Sequence, residues 1–151
     1  MYVKSLAALA LAAAAGAAGA QVSIQEYPLP ARVGAHDVWA DPAPNGPVWF
    51  SAQRSGELGR LDPQSGKVEM IPLGSRSSPH GVILDSEGNP WLTDGGQNAI
   101  VRVDAKTRAV KAWPLPEDTG YANLNTAIFD KAGIHWVTGQ SGWGGGLDPE
   151  T

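Results

Sequence analysis

The sequence has 151 residues and a formal net charge of −4; 42% of its residues are hydrophobic and 17% are charged. This balance is typical of a globular chain, and the length is that of a single domain. The absence of cysteine excludes disulfides, thiolate metal sites and a cysteine nucleophile. No basic stripe is present that could displace phosphate counterions, so the composition argues against nucleic-acid binding. The 19 glycines and 12 prolines indicate many short elements separated by turns.

Residues 1–20 have the pattern of a secretory signal peptide. A short cationic start ends at Lys4, residues 5–15 are almost purely leucine and alanine, and the small-residue run Ala-Gly-Ala closes the segment at Ala20. This pattern predicts cleavage before Gln21 and a periplasmic or secreted product. The alternative is a buried or membrane-spanning helix, but the apolar run is shorter than the ~20 residues that a span requires. No second apolar stretch follows, so no membrane attachment is expected after cleavage.

A repeat of about 44 residues organises the chain after the predicted cleavage site. Each copy opens with a polar residue, runs through apolar residues to an aspartate, makes a turn and continues with a tryptophan-led strand. The aligned openings are 36–41, 80–85 and 125–130, and the aligned tryptophans are Trp49, Trp91 and Trp136. We expect these tryptophans to pack between neighbouring units, because an indole buries a large apolar face while its N–H finds a partner.

The segments within each repeat are typical of four short strands. They are rich in Val, Ile, Leu and Trp, and clusters of Gly, Pro, Asn and Ser separate them. Pro72 and Pro114 fall in the last strand of their units; because proline cannot donate to a ladder, this strand is expected at an outer edge. Four-stranded units of this period are typical of an all-β β-propeller. A β-sandwich is the alternative, although it requires no repeat of this length.

The predicted organisation is a signal peptide followed by a partial propeller at 21–151. The predicted blades are 36–73, 80–115 and an incomplete 125–151. Residues 24–29 match the fourth strand of a repeat, so we expect them to be an outer strand that completes the last blade of the ring. About three blades are fewer than the ~4–8 that close a ring. The sequence therefore predicts the first part of a larger propeller.

Candidate catalytic residues follow from the repeat. In a propeller, the loops that enter the innermost strands and those that leave the second strands meet at one rim of the central channel. His36 and His80 open the innermost strands of two blades, and Asp94 follows a second strand. We therefore expect His80 and Asp94 to approach each other at this rim.

This pairing has a chemical rationale and a structural alternative. Histidine titrates near neutral pH, and a carboxylate can orient it or bind a metal. Alternatively, the recurring histidine only ties a loop to its blade, and Asp94 only supports a turn. His135 precedes one of the repeated tryptophans and is interpreted as a polar residue tolerated in a strand.

The second repeat carries the motifs of a known family. Its segments are SPHGV at 78–82, DSEGNPWLTD at 85–94, NAIVRVD at 98–104 and WPLP at 113–116. They resemble a blade of the virginiamycin B lyase (streptogramin lyase) family, and the resemblance covers roughly residues 24–148. It implies a seven-bladed propeller that linearises a cyclic depsipeptide antibiotic by elimination across its ester bond with Mg²⁺. In that family the catalytic histidine and its partners come from later blades, so no Mg²⁺ ligands are identified in this sequence.

The function implied by the resemblance is that of a carbon–oxygen lyase acting on a cyclic ester antibiotic or a related substrate, inactive as this part of the ring alone. Two alternatives stay open. One is an exported propeller without catalysis that binds a ligand or a partner at its channel mouth, and the other is a lactonase-type metal-dependent hydrolase. The expected ligand is a small molecule or a cyclic peptide, and neither nucleic acid nor a membrane is expected as a partner.

Overall fold

The computed structural model describes residues 22–149. The predicted signal peptide at 1–20 and its cleavage site therefore lie outside the described residues. The described part consists of short β-strands and the turns and loops between them, with a short 3₁₀ turn at Glu117–Thr119. Within it, no helix has the length and apolar character needed to cross a membrane.

Eleven strands in the described chain form three antiparallel sheets, in which sequential strands are neighbours. The strands are β1 (Ala35–Ala40), β2 (Val48–Ala52), β3 (Glu57–Leu61), β4 (Val68–Pro72), β5 (Pro79–Leu84), β6 (Pro90–Asp94), β7 (Ala99–Val103), β8 (Val110–Pro114), β9 (Leu124–Phe129), β10 (His135–Gly139) and β11 (Trp143–Leu147). Strands β1–β4 form blade 1, β5–β8 form blade 2, and β9–β11 form the three-stranded blade 3. This repeated meander confirms the predicted all-β propeller class.

The innermost and outermost strands follow the sequence pattern. Strands β1, β5 and β9 contact one another from blade to blade and are the innermost strands. Pro72 ends β4 and Pro114 ends β8, and both strands are the outer edges of their sheets. Proline is tolerated there because an edge strand leaves half of its N–H groups outside the ladder.

The segment before blade 1 forms no strand at residues 24–29. The blade that these residues are predicted to complete is not part of this sequence, so their role in closing the ring stays a prediction. Tyr27 attaches the segment to blade 1, since its hydroxyl donates a hydrogen bond to the Pro63 carbonyl at 3.0 Å. Val33 is buried in a small cluster with Phe50 of blade 1.

Tryptophans join the blades, as the repeat predicts. Trp49 of blade 1 shares a buried cluster with Leu92 of blade 2, and Trp91 of blade 2 shares one with Leu124 of blade 3. An aromatic side chain buries ~150–250 Å², roughly 4–6 kcal/mol of transfer free energy at ~25 cal/mol per Å². Trp136 of blade 3 is 50% exposed, and no further blade follows it in this sequence.

The indole N–H groups show how a turn length changes a repeat contact. The repeated hydrogen bonds run from Trp91 Nε1 to Asp85 at 2.9 Å and from Trp136 Nε1 to Asp130 at 2.8 Å. Trp49 Nε1 is buried without a hydrogen-bond partner among the described residues. The turn that precedes Trp49 is longer, and Asp41 instead accepts from the Ala43 N–H at 2.8 Å. An insertion in one turn therefore removes a contact that the other two blades keep.

Candidate functional site

The innermost strands bring the opening residue of each repeat to one end of the channel. His36 lies near the start of β1, His80 near the start of β5, and Asn125 near the start of β9. Equivalent positions of innermost strands surround the same axis, so residues far apart in sequence become neighbours. Asp37 follows His36 and completes the group. We name His36, Asp37 and His80 the channel-end cluster.

The channel-end cluster is compact. His36 Nδ1 lies 2.8 Å from Asp37 Oδ1, and His80 Nδ1 lies 4.0 Å from Asp37 Oδ2. The two imidazole rings are 4.0 Å apart between centroids and tilted by 48°. One nitrogen or oxygen atom from each of the three side chains lies within 4.8 Å of the other two. Within residues 22–149, it is the only group of three metal-ligating side chains that lie this close together.

His80 differs from the other two residues of the cluster in its burial. Its side chain is 17% exposed, against 40% for His36 and 38% for Asp37. Its Nδ1 is buried without a hydrogen-bond partner among the described residues, and its Nε2 lies 3.2 Å from Asn125 Nδ2. Burial lowers the pKa of His80, and His36 lowers it further, against a partial opposing effect of Asp37. His80 is therefore uncharged at neutral pH, with an unused nitrogen facing Asp37.

A serine hydroxyl holds the cluster from the next strand. Ser51 Oγ in β2 accepts a hydrogen bond from the Asp37 N–H at 2.9 Å and donates to the His80 carbonyl at 2.5 Å. The register of β1 shifts at this point, between Ala35 and Val38. The shift takes the Asp37 N–H out of the ladder, and the hydroxyl satisfies it. One side chain thus fixes the backbone of two cluster residues from two blades.

Blade 2 repeats this arrangement with a threonine. Thr93 Oγ1 accepts from the Gly81 N–H at 2.8 Å and donates to the Asn125 carbonyl. A Cβ on Gly81 would lie 2.8 Å from that carbonyl oxygen and 2.9 Å from Thr93 Oγ1. The close approach of blades 2 and 3 therefore requires glycine at this position. The Asp37 carboxylate lies 3.7 Å from the same point, in ordinary van der Waals range.

Asp94 has a different role from its predicted partner His80. The sequence placed it just past β6, whereas it is the last residue of that strand and is completely buried. Its carboxylate accepts hydrogen bonds from Ser77 Oγ at 2.5 Å, the Ser78 N–H at 2.8 Å, the Gln97 N–H at 3.0 Å and Gln97 Nε2 at 2.8 Å. None of the hydrogen bonds or ion pairs found in residues 22–149 joins it to His80. Two donors from the segment before β5 and two from the turn after β6 bond the Asp94 carboxylate, and the carboxylate beside His80 is that of Asp37.

The sequence predicts that His135 is only a polar residue tolerated in a strand, and the structure gives it a different environment. It is fully buried, and neither ring nitrogen has a hydrogen-bond partner among the described residues. Its ring packs against Trp91 and Phe129, with centroids 5.4 and 4.8 Å away. Burial lowers its pKa to about 4, so it is a neutral ring in the core between blades 2 and 3. The available signal was Pro90, which occupies the same repeat position in blade 2 and is also buried.

A groove of about 370 Å³ runs from the cluster along the innermost strands. Its wall includes His36 and Asp37 together with the apolar Val38, Trp39 and Ile83. The groove therefore combines apolar surface with a polar end, as small-molecule sites do. A larger cleft of about 650 Å³ lies between blades 2 and 3, around the turns at the opposite ends of the innermost strands, and no histidine lines it. Of these two cavities, only the groove at the cluster is lined by a histidine.

The channel-end cluster does not fit the Mg²⁺ that the family resemblance implies. Mg²⁺ requires near-octahedral coordination by hard oxygen ligands at 2.0–2.1 Å. The cluster offers two imidazoles and only one carboxylate. The described residues therefore contain no oxygen-rich set for Mg²⁺, and we assign no step to this ion.

The fold and the site define this chain as part of a β-propeller with a candidate ligand site at the end of its channel. No protein-family model matches the sequence, and no curated protein matches it as a relative. Solved structures match the chain by their fold.

The solved structures that match the chain include two lyases and a putative gluconolactonase. Virginiamycin B lyase from Staphylococcus aureus, a catalytically inactive variant with quinupristin, has a TM-score of 0.69 at 20% identity, over 85% of this chain and 46% of the lyase chain. A streptogramin B lyase structure has a TM-score of 0.68 at 24% identity, over 84% of this chain and 45% of that one. A putative gluconolactonase has a TM-score of 0.51 at 21% identity, over 76% and 48%.

The chain therefore spans about half the length of the structures that it matches. The resemblance to streptogramin lyases is confirmed at the level of the fold. The number of blades in the complete ring stays a prediction.

Proposed function

We propose that the full-length protein is an exported propeller enzyme that opens a cyclic ester, as a carbon–oxygen lyase, at the end of its channel. The observation that carries the proposal is the channel-end cluster beside a partly apolar groove. The fold shared with two streptogramin lyase structures supports the choice of reaction. A cyclic peptide of apolar character would lie along the groove, with its ester group at the cluster.

The proposed elimination balances without a further reactant. A base removes a proton from the carbon next to the one that bears the ester oxygen. The electron pair of that C–H bond forms a C=C bond, the C–O bond breaks, and the ester leaves as a carboxylate that takes up a proton. The uncharged His80 and the more exposed His36 can contact the ester as donors or acceptors. The base itself is expected from the later blades that the family resemblance implies.

The test is product analysis with the full-length protein and a streptogramin B antibiotic in the presence of Mg²⁺. Elimination gives a linear isomer with the mass of the intact ring and a new C=C bond, which chromatography and fragmentation distinguish from the substrate. The double variant His36→Gln/His80→Gln is expected to slow the conversion by at least about tenfold. Asp41→Asn, at the opposite end of β1, is the matched control and should leave the rate unchanged. No conversion by the unmodified protein would sink the proposal.

A lactonase-type metal-dependent hydrolase is the second candidate. Two observations favour it: the cluster of metal-ligating side chains and the fold shared with a putative gluconolactonase. The same product analysis separates the candidates, because hydrolysis adds one water to the mass of the ring and elimination adds none. A propeller that binds without catalysis would show stabilisation by the ligand with no change in the ligand itself.

The site of action is part of the same proposal. We propose that the protein acts in the periplasm or outside the cell, because residues 1–20 have the cationic, apolar and small-residue regions of a signal peptide. Sequencing the amino terminus of the protein recovered outside the cytoplasm tests this. Gln21 is expected as the first residue, and a cytoplasmic protein that keeps Met1 would contradict it.

A further inference from the structure

We propose that His36, Asp37 and His80 form a binding site for a divalent transition-metal ion, with Zn²⁺ and Co²⁺ as fitting occupants. The site joins two blades, because His36 and Asp37 belong to β1 and His80 belongs to β5. This inference rests on the geometry of the channel-end cluster. It therefore stands or falls independently of the ring-opening reaction.

The first argument is the spacing of the ligand atoms. Zn²⁺ binds imidazole nitrogen at ~2.0–2.1 Å and carboxylate oxygen at ~2.0–2.2 Å in a tetrahedron, which places neighbouring ligand atoms about 3.3 Å apart. In the cluster, one ligand atom from each side chain lies within 4.8 Å of the other two. Small side-chain rotations close this difference, and two of the three side chains are more than one-third exposed and free to make them.

The second argument is the unused nitrogen of His80. Its Nδ1 is buried, has no hydrogen-bond partner among the described residues, and lies 4.0 Å from Asp37 Oδ2. A buried polar atom without a partner is destabilising, so such an atom is a reason to look for a missing ligand. A cation bound between His80 and Asp37 satisfies this atom and neutralises the carboxylate.

The third argument is the support around the three ligands. Ligating histidines usually donate their other ring N–H to an oxygen, which fixes their tautomer. His80 Nε2 lies 3.2 Å from the Asn125 side-chain amide, whose oxygen in turn bonds the Thr126 hydroxyl at 2.7 Å. Because that hydroxyl can also accept, the amide can turn its oxygen toward Nε2. Ser51 holds the backbone of His80 and Asp37 from behind.

The chemistry of the ligands selects the class of metal. Imidazole nitrogens suit Zn²⁺, Co²⁺ and Ni²⁺, whereas Mg²⁺ and Ca²⁺ prefer oxygen ligands. Three protein ligands leave at least one coordination position open, which is the arrangement of a site that also binds water or substrate. The open side of the cluster faces the groove along the innermost strands.

The experiment uses untagged full-length protein that a chelator has freed of metal. Co²⁺ is titrated in and its visible absorption is followed, and Zn²⁺ and excess Mg²⁺ are then tested as competitors. We expect one Co²⁺ per chain with an intense spectrum of four or five coordination, displacement by Zn²⁺, and no displacement by Mg²⁺. Weak octahedral absorption, or equal competition by Mg²⁺, would overturn the inference.

Variants assign the site. His36→Gln, Asp37→Asn and His80→Gln should each lower Co²⁺ affinity by at least about tenfold, the range in which even residues that only support ligands act. Asp41→Asn makes the same charge change on the other end of β1 and should bind Co²⁺ normally. His36 and Asp37 are partly exposed, so their variants stay informative if the His80 variant folds poorly. Unchanged affinity in both of them would show that the ion binds elsewhere.

Discussion

His80 and Asp94 lie in the same blade and close to each other in the β5–β6 register, because Pro79 pairs with Asp94. Their polar groups nevertheless differ in whether their hydrogen-bonding capacity is filled. The Asp94 carboxylate is buried and receives four hydrogen bonds, two from the segment before β5 and two from the turn after β6, whereas His80 keeps a buried nitrogen without a partner in the described chain. A polar side chain whose capacity is filled locally supports the fold. A polar side chain that has unused hydrogen-bonding capacity and faces another polar group is available to a ligand.

The largest expected effect concerns Asp94. Asp94→Ala should lower the free energy of unfolding by about 3–5 kcal/mol, because charge-assisted hydrogen bonds contribute ~1.5–3 kcal/mol each and their donors are left in the core. Urea unfolding of the metal-free full-length protein measures this. Asp37→Ala, at the partly exposed cluster, is the matched control and should cost less than about 1 kcal/mol. Equal losses at the two aspartates would remove the contrast between a structural and an available carboxylate.

The next effect concerns His135, whose nitrogens also lack hydrogen-bond partners in the described chain but whose ring packs against Trp91 and Phe129. Its pKa of about 4 in the folded state lies below the 6.5 of a free histidine, so the unfolded chain binds the proton first as the pH falls. The stability that neutral His135 contributes is therefore fully present above about pH 6.5 and is lost as the pH falls toward about 4. The expected loss is about 2 kcal/mol between about pH 7 and about pH 5.

Urea unfolding at several pH values tests this, with His135→Phe as the comparison. Phenylalanine keeps an aromatic ring in the core and cannot titrate, so the loss between these pH values should shrink by most of its size. An unchanged pH dependence in His135→Phe would mean that other groups cause it. The burial of His135 would then not explain the pH dependence of the free energy of unfolding.

Much of the fold could be predicted from the sequence, because the same pattern of strands and turns occurs in each repeat. The tryptophan positions, the outer-edge prolines Pro72 and Pro114 and the strand pattern all recur, so each copy supports the others. The placement of His36 and His80 at one end of the channel followed from the same periodicity. Their proximity to each other, 4.0 Å between ring centroids, needed the structure.

The partner of His80 could not be predicted, for a physical reason. Asp94 and Asp37 both have a carboxylate near the start of β5. They differ in whether donors other than His80 already bond that carboxylate. Ser77 and Gln97 capture Asp94 through side chains whose spacing in sequence carries no recognisable motif. Asp37 Oδ2 lies 4.0 Å from His80 Nδ1 across two blades, a relation that one repeat does not reveal.

A smaller effect tests the hydroxyl that holds the cluster. Ser51→Ala should cost about 1–2 kcal/mol, because the Asp37 N–H and the His80 carbonyl each lose a partner. It should also lower Co²⁺ affinity by about tenfold, as loss of a residue that supports ligands does. Thr138→Val is the matched control: Thr138 has the same repeat position in blade 3, and its hydroxyl donates to the Thr126 carbonyl at 3.3 Å, its single hydrogen bond among the described residues. A stability loss without any change in Co²⁺ affinity would limit Ser51 to the fold.

The smallest expected effect concerns a partly exposed ion pair at the outer side of the junction between blades 1 and 2. Arg108 donates to both carboxylate oxygens of Glu69, at 2.9 and 2.8 Å, and this pairing holds the pKa of Glu69 below its usual value. Exposed ion pairs contribute only ~0.2–1 kcal/mol, since water solvates the separated charges well. Glu69→Gln should therefore cost about 0.5 kcal/mol in urea unfolding, with a smaller loss at high salt. Glu87→Gln, where Arg102 is 3.7 Å away and the carboxylate is almost fully exposed, should cost nothing measurable. A loss at Glu69 as large as that at Asp94 would mean that burial is not what separates the structural carboxylate from the others.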